Sequence, residues 1–416
     1  MLKEITISNF KSIKDEVTLS MEADLKKVSE HKDHIKLIND NNLLRVMSMY
    51  GPNGGGKTNI IKGLMLLKEI VLGVSKFLPA KSYKCEYSNN DIITLTPFFV
   101  SDNYEIGYEL KFTTRINEMP ILPGQNGFVT SYDIVGEEIV YRKKGEDEYI
   151  TLAKRDSETN IEGSITKLFE QKILPFAKNK SFVSKMFEDY ANNDSPTLPE
   201  EFVVLRQLYS DISRIYYLDA MVAYSENLFN YINENKDKLI KSLNNVDIPV
   251  SDIIISKSYY DNIFIEREVK VNNEIKKYRI SLNEESNGSK KMFWILLNLI
   301  NNLDKHMVFV CDDMNAYLHP KLYSEIIKLF NSDKNITSQL IFNSHDIINM
   351  NNSNFRRDEI CFVYKNENYS TDIMPLSNII NYKGEQVRKD ASYYKQYLEG
   401  RYGFDPFIKK GLDWND

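Results

Sequence analysis

The sequence predicts an α/β protein in which a mixed central sheet with an antiparallel β lobe is split by a mainly helical insertion. Three observations lead to this prediction. A glycine-rich segment, residues 51–58, lies between an apolar strand and an amphipathic helix. A second apolar strand ends in two acidic residues, 312–313, about 260 residues further along the chain. Between them, residues 161–191 and 202–244 have helical periodicity.

Strand patterns dominate the first part of the chain. Residues 1–8 and 17–22 run apolar or alternate, and residues 43–50 form a short apolar run that is typical of a buried strand. Polar residues fill the segment 24–42, where we expect a loop. Apolar residues at helical spacing over 58–73 predict a helix directly after the glycine-rich segment.

The rest of the chain returns to strands on either side of the helical middle. Strand-like alternation is found between 97 and 144, and further strands are predicted at 252–258, 263–271, 307–311, 339–342 and 359–364, the last as an edge strand. We therefore expect an N-terminal lobe with the glycine-rich loop and the β lobe (1–145), a mainly helical insertion (146–245) and a C-terminal lobe (246–416).

Composition and charge exclude several classes of protein. With 416 residues, 42% hydrophobic and 27% charged, the chain is an ordinary globular protein. It has no apolar stretch near the ~20 residues that a membrane span needs, and it opens on a strand rather than a signal region. We therefore expect a cytoplasmic protein with no membrane partner. The net charge of −6 argues against binding nucleic acid over the whole surface, but it is compatible with a local basic channel. The three cysteines share no close spacing, which excludes a disulfide framework and a cysteine metal site.

The glycine-rich segment fits the P-loop pattern of Gly, four residues, and Gly-Lys-Thr. Glycines let successive backbone N–H groups and the start of the helix face phosphate groups. Lys57 would reach the β- and γ-phosphate oxygens, and the Thr58 hydroxyl would bind magnesium. The predicted ligands are ATP and Mg²⁺, and the predicted nucleotide-binding residues are Gly51, Pro52, Asn53, Gly54, Gly55, Gly56, Lys57, Thr58 and Asn59.

A P-loop needs a carboxylate at the end of a neighbouring buried strand, where it helps to hold the magnesium ion. The run from Met307 supplies such a strand and ends in Asp312 and Asp313. We predict Asp312 as the carboxylate on the magnesium side and Asp313 as the general base. Because about 260 residues separate these acids from Gly51, a large insertion must lie between the two motifs.

A Ser-x-Gly turn precedes the acid strand and opens an apolar helix. Ser286 supplies a hydroxyl and Gly288 a bare backbone N–H at the positive end of the helix dipole, which together suit an anion. The same pattern also fits an ordinary helix N-cap at Ser286 or Ser289. Its position about twenty residues before the acid strand favours the anion site.

Histidines occur at three further places. His345 follows a short apolar strand downstream of the acid pair, where it could hydrogen-bond a γ-phosphate or the attacking water. The position of His319 directly before Pro320 favours a structural role for this residue. His31 and His34 have i, i+3 spacing in a polar segment, but without further ligands they do not predict a metal site.

Taken together and in this order, the four motifs resemble the ABC-type ATPase heads of the RecF/SMC class. More closely they resemble the OLD-like abortive-infection ATPases of bacterial anti-phage defence. The likeness covers roughly 1–115 and 245–410. The segments that carry it are Ile7–Ile13, Tyr50–Asn59, Val246–Ile253, Glu285–Lys290, Asp312–Pro320 and Arg388–Phe407.

The resemblance implies a P-loop ABC-type ATPase head that forms a homodimer or a higher homo-oligomer. Two heads would close on two ATP molecules, each held by the P-loop of one copy and by Ser286 and Gly288 of the other. It also implies a sensor or scaffold of an abortive-infection complex, triggered by DNA or a phage protein. Its effector, a nuclease or a toxin, would be encoded nearby.

Two departures from the family pattern affect the expected activity. Asp313 stands where such heads have glutamate and is one methylene shorter, so we expect slow hydrolysis. No clear glutamine stands where these heads sense the γ-phosphate. The alternative function is a RecF/SMC-type ATPase of DNA repair or chromosome maintenance. A transporter ATPase subunit fits less well because of the broken middle insertion. A metabolic kinase fits less well because of the Ser-x-Gly turn and the wide separation of the motifs.

Overall fold

The computed structural model describes residues 1–74, 77–122, 125–156, 161–168, 177–190, 199–219, 226–256, 263–332, 337–380 and 384–405. The strands are β1 (Leu2–Ser8), β2 (Val17–Ser20), β3 (Ile35–Ile38), β4 (Asn41–Leu44), β5 (Val46–Tyr50), β6 (Leu78–Pro79), β7 (Ile93–Val100), β8 (Tyr104–Leu122), β9 (Gln125–Lys143), β10 (Ile150–Arg155), β11 (Ile161–Glu162), β12 (Ile215–Tyr217), β13 (Asp252–Ile255), β14 (Ile263–Val271), β15 (Glu274–Ser281), β16 (Val308–Cys311), β17 (Gln339–Asn343), β18 (Ile360–Lys365) and β19 (Thr371–Pro375). The α-helices are α1 (Lys57–Val71), α2 (Phe182–Tyr190), α3 (Glu200–Ser213), α4 (Glu226–Asn245), α5 (Asn287–Asn302), α6 (Pro320–Phe330) and α7 (Tyr393–Leu398). No helix in these ranges is long and apolar enough to cross a membrane.

In the part of the chain that the structure describes, the central sheet contains six strands in the order β12-β16-β17-β5-β18-β19. All are parallel except β19, which runs antiparallel to β18. Every residue of β5, β16 and β17 is buried because both faces of the sheet are covered. Along β5, Met47 and Met49 pack into the core that contains α1, whereas Val46 and Tyr50 pack into the core that contains α6. The predicted mixed central sheet is confirmed.

The second large sheet is the predicted antiparallel β lobe. Its strands are ordered β11-β10-β9-β8-β7-β1-β2, with β6 paired to β9. Residues of β7 alternate between buried and half-buried, as expected for a sheet with one face on a core. That core also contains α1, whose Gly63 lies so close to β1 that an added Cβ would be 2.7 Å from the Ile7 Cδ1 atom. Helix α1 therefore packs against both sheets.

The described parts of residues 146–245 belong to three different places in the fold. Strands β10 and β11 extend the antiparallel lobe, and β12 pairs with β16 at the edge of the central sheet. Helix α4 packs with α5 and the small β13-β14-β15 sheet in a third core. The helical prediction over 202–244 missed β12, because three apolar residues also fit a helical period. The three-domain division stays a prediction.

Two other sequence expectations were wrong. The segment 24–42, expected to be a loop, contributes β3 and the start of β4, which form a short antiparallel hairpin. Strand β18, expected at an edge, lies between β5 and β19. The edge strand on this side of the sheet is β19, with the sequence Thr-Asp-Ile-Met-Pro. Its short, partly polar pattern does not predict a strand by itself.

Candidate nucleotide-binding site

The P-loop connects the buried strand β5 to helix α1 at the carboxyl end of the central sheet. Gly51 has a φ of 133°, and a Cβ there would lie 2.2 Å from the Val363 carbonyl oxygen of β18. Gly56, the N-cap of α1, has a φ of 115°, and a Cβ there would lie 2.2 Å from the Thr371 hydroxyl oxygen. Both positions therefore require glycine, for backbone conformation and for space.

Lys57 is the cation of this loop. Its Nζ donates to the carbonyl oxygens of Gly51 and Pro52, at 2.8 and 3.0 Å, and the residue is buried. Burial lowers the pKa of Lys57, while the nearby Asp313 and Asp312 carboxylates act to raise it. The N-cap of α1 is Gly56, which has no side chain that could bind the free backbone N–H groups at the start of the helix. This arrangement suits the phosphate groups of a nucleotide.

Thr58 and Asp312 are brought together by the parallel order of the strands. The Thr58 hydroxyl donates to the Asp312 carboxylate at 2.8 Å, and Asn343, at the end of β17, also donates its side-chain amide to that carboxylate. A hydroxyl and a carboxylate oxygen at one point are ligands that Mg²⁺ accepts. The predicted magnesium ligands therefore fit that ion.

Asp313 and His345 face each other across the ends of β16 and β17. The His345 Nε2 lies 3.8 Å from the Asp313 carboxylate, and both side chains are about half exposed. Asp313 has a φ of 48°. Burial and the Lys57 charge lower the pKa of His345, while Asp313 and Asp312 partly oppose that effect. The imidazole is therefore neutral near pH 7 and can donate or accept a hydrogen bond.

Two asparagines that organise this edge were not identified from the sequence. Asn343 accepts a 2.6 Å hydrogen bond from the Asp313 backbone N–H with its side-chain oxygen. Asn315 accepts from the Ser344 hydroxyl at 3.1 Å and from the His345 backbone N–H at 3.0 Å. The available signal was position, because both follow an apolar strand at the carboxyl edge where α/β sheets bind ligands.

The N-terminal segment also reaches the P-loop, through residues that sequence reasoning left without a role. The Ser12 hydroxyl accepts from the Asn59 side chain at 2.7 Å and pairs with the Thr371 hydroxyl at 2.7 Å. Thr371 in turn donates to the Gly55 carbonyl at 2.8 Å. Ser12 and Thr371 therefore link both ends of the chain to the P-loop.

Ser286 and Gly288 lie apart from the P-loop of the same chain. Ser286 caps α5, since its hydroxyl accepts from the Ser289 backbone N–H at 3.1 Å. A Cβ on Gly288 would lie 2.6 Å from the Tyr317 carbonyl oxygen. Gly288 lines a cavity of about 500 Å³ that shares no lining residue with the P-loop cavity. Within one chain the Ser-x-Gly turn is thus a helix cap, and Gly288 lines a different cavity from the P-loop.

The C-terminal tail borders the P-loop cavity. That cavity, of about 490 Å³, is lined by Pro52, Asn53, His345 and, from α7, Tyr397 and Leu398, among others. The tail is fixed by stacked rings of Phe362 and Tyr397, with centroids 5.5 Å apart. Pro406 and Phe407, at the end of the tail segment, lie outside the described residues.

The other three histidines considered in the sequence analysis have structural partners. His319 caps α6, where its Nδ1 accepts from the Lys321 backbone N–H at 3.2 Å. The ligating atoms of His31, Asp33 and His34 lie within 4.8 Å of one another. One nitrogen of each of these imidazoles is already engaged: His31 contacts a backbone carbonyl at 2.7 Å, and His34 contacts the buried Glu359 carboxylate at 2.9 Å.

Comparison with known proteins gives one family. The sequence model described as "AAA domain, putative AbiEii toxin, Type IV TA system" matches residues 46–349, which span the P-loop, the acid pair and His345. No curated protein matches the chain.

Solved structures of SMC heads are similar to the chain at low identity. They include an SMC head bound to the C-terminal winged-helix domain of ScpA (12% identity, 90% of this chain and 96% of that chain, TM-score 0.40). The SMC head domain from Thermotoga maritima gives 15% identity over 90% and 98%, with a TM-score of 0.35. An SMC head with an extended coiled coil, bound to a ScpA domain derived from Pyrococcus furiosus, gives 12% identity over 90% and 95%, with a TM-score of 0.38. Because these identities and TM-scores are low, the family assignment depends on the match of residues 46–349 to the family model.

Proposed function

The chain belongs to the AAA domain family whose description names the AbiEii toxin of a type IV toxin–antitoxin system, and from this premise we propose an ATP-hydrolysing sensor or scaffold of an anti-phage abortive-infection complex. The proposal builds on the mixed central sheet and the P-loop described above. The observation that carries the ATP-hydrolysing activity is the direct hydrogen bond between Thr58 and Asp312, beside Lys57, Asp313 and His345. The defence role is supported by the description of the family. In this proposal the protein acts in the cytoplasm and has no membrane partner.

ATP binding would use the P-loop as a phosphate cradle. The γ- and β-phosphate oxygens would replace the Gly51 and Pro52 carbonyls as acceptors for Lys57, whose buried charge gains from an anionic partner. Thr58 and Asp312 would hold the magnesium ion, and this ion would neutralise negative charge on the phosphates.

Hydrolysis would use Asp313 and His345. A water attacks the γ-phosphorus, its proton goes to the Asp313 carboxylate, and the bond to the ADP oxygen breaks. The neutral His345 imidazole would donate to a γ-phosphate oxygen or orient that water, and Asn315 fixes its backbone. Asp313 is short and 53% exposed, so its carboxylate is well solvated and turnover would be slow.

A closed state would need a second copy of the chain. Ser286 and Gly288 at the start of α5 are separate from their own P-loop, so they would meet the γ-phosphate bound to a partner copy. ADP would leave these donors without an acceptor, which makes closure dependent on ATP. The mass of the native assembly, measured by sedimentation with ATP and with ADP, tests this step. An ATP-independent mass would contradict it.

The destructive chemistry would belong to another protein, a nuclease or a toxin encoded nearby, released on a DNA or phage-protein trigger. Within the described residues after His345, no three His, Cys, Asp or Glu side chains lie close enough to hold a metal ion. We expect the purified protein to hydrolyse ATP slowly and to leave DNA and RNA intact with Mg²⁺ or Mn²⁺. Metal-dependent cleavage by the protein alone would overturn this part of the proposal.

A further inference from the structure

A cavity of about 370 Å³ lies between α1, the turn after β1 and the segment 79–83. Four lysines line it: Lys11, Lys62, Lys68 and Lys81. We call this cavity the lysine pocket. Glu69 is the one carboxylate among its described lining residues, and no residue of the pocket lines the P-loop cavity.

Three of these lysines are held in position by the surrounding structure. Lys11 has a φ of 53°, and its Nζ donates to the Ser82 carbonyl at 3.2 Å. The Nζ atoms of Lys11 and Lys81 lie 5.1 and 5.2 Å from the centroid of the Tyr83 ring, within cation–π range. Lys68 donates to the Ile215 carbonyl at 2.6 Å. Lys11 and Lys81 are therefore held beside the same ring, and Lys68 is held at the end of α3 and the start of β12 by its own hydrogen bond.

The pocket concentrates positive charge in an acidic protein. Across the described ranges, none of the four lysines forms an ion pair, whereas the net charge of the chain is −6. Burial together with Lys81 and Lys62 lowers the pKa of Lys11, and burial lowers that of Lys68. Burial also raises the pKa of Glu69, while the charge of Lys81 opposes that effect. An anion in the pocket would relieve the repulsion between the lysines.

We propose that the lysine pocket binds a phosphate-bearing ligand at a site separate from the P-loop. Several cations around one small space suit an anion with more than one negative charge. The apolar walls formed by Phe10, Met65 and Tyr83 suit a base or sugar attached to that phosphate. The same chemistry is offered by a nucleic acid strand and by a free polyphosphate. The proposal does not depend on the ATP-dependent dimer.

The test uses the full chain, with the P-loop saturated by a non-hydrolysable ATP analogue and Mg²⁺. One probe is a short labelled single-stranded DNA, followed by fluorescence anisotropy; the other is inorganic triphosphate, followed by calorimetry. The pocket variant is Lys62→Glu with Lys81→Glu. The matched control, Lys26→Glu with Lys276→Glu, makes the same charge change at exposed lysines outside the pocket.

We expect the pocket variant to bind at least one probe about tenfold more weakly, with the control close to wild type. The probe that binds identifies the source of the phosphate. Equal weakening in both variants would mean a general charge effect and would overturn the proposal, as would no binding of either probe to the wild type. Lys62→Gln with Lys81→Gln, checked by thermal melting, guards against a folding defect.

Discussion

The Thr58 hydroxyl donates a 2.8 Å hydrogen bond to the Asp312 carboxylate, although 254 residues separate them in the chain. Thr58 lies in the first turn of α1, and Asp312 follows β16, two strands away from β5 in the sheet. Between them, Asn343 at the end of β17 donates to the same carboxylate. The parallel strand order therefore assembles the proposed magnesium site from three distant segments.

Replacing Lys57 with alanine should weaken ATP binding about tenfold or more, because the variant loses the buried cation that pairs with the phosphates. Titration with a fluorescent ATP analogue measures the change. Lys26→Ala, at an exposed lysine, is the matched control. Unchanged nucleotide affinity in the Lys57 variant would remove the basis for the P-loop assignment.

Replacing Asp313 with asparagine should slow ATP turnover and accumulate an ATP-bound dimer. Asparagine keeps the shape and tolerates the positive φ of 48°, but it cannot accept the proton of water. Sedimentation with ATP should show a larger species than wild type. A wild-type rate of ATP hydrolysis in this variant would exclude Asp313 as the base.

Replacing Ser286 with arginine should prevent the ATP-dependent dimer while ATP binding by the single chain is retained. The larger side chain would occupy the place of the partner's phosphate, and Ser286 does not line its own P-loop cavity. The control is Ser29→Arg, which makes the same change at an exposed serine away from α5. If the Ser286 variant dimerises with ATP as wild type does, the Ser-x-Gly turn is only a helix cap.

Replacing Gly51 with alanine should destabilise the fold by about 2 kcal/mol or more, because the added Cβ would lie 2.2 Å from the Val363 carbonyl oxygen. Gly54→Ala is the matched control, since Gly54 also has a positive φ but no atom lies within 4 Å of its added Cβ. Urea unfolding of both variants separates the collision from the backbone strain. Equal loss of stability in the two would show that the collision is relieved.

At pH values below 6.5 the free energy of unfolding should decrease, in part because of His345. Its pKa in the folded chain lies below the ordinary value of 6.5, so the unfolded chain binds more protons as the pH falls through that value. The contribution of the neutral imidazole is present above pH 6.5 and is lost at lower pH. His345→Gln should therefore lose less stability than wild type between pH 7 and pH 5 in urea unfolding. A difference from wild type that is independent of pH would contradict this.

The residues of the proposed nucleotide site could be predicted from the sequence because each is marked by its own local pattern. Gly51 and Gly56 follow the P-loop spacing, and Asp312 follows an apolar strand. These patterns are local because a tight phosphate-binding turn and a buried strand each constrain only their own few residues. The fold class followed from the same patterns and is confirmed by the central sheet and the β lobe.

The partners of these residues were decided by the tertiary structure alone. Asn343 and Asn315 become organising residues only because β16 and β17 are neighbours, and Ser12 reaches Gly55 only through Thr371 of β19. Strand order in a sheet depends on contacts between residues far apart in sequence, which leave no periodic signal along the chain. For the same reason β12 could not be recognised as a strand until its pairing with β16 was known.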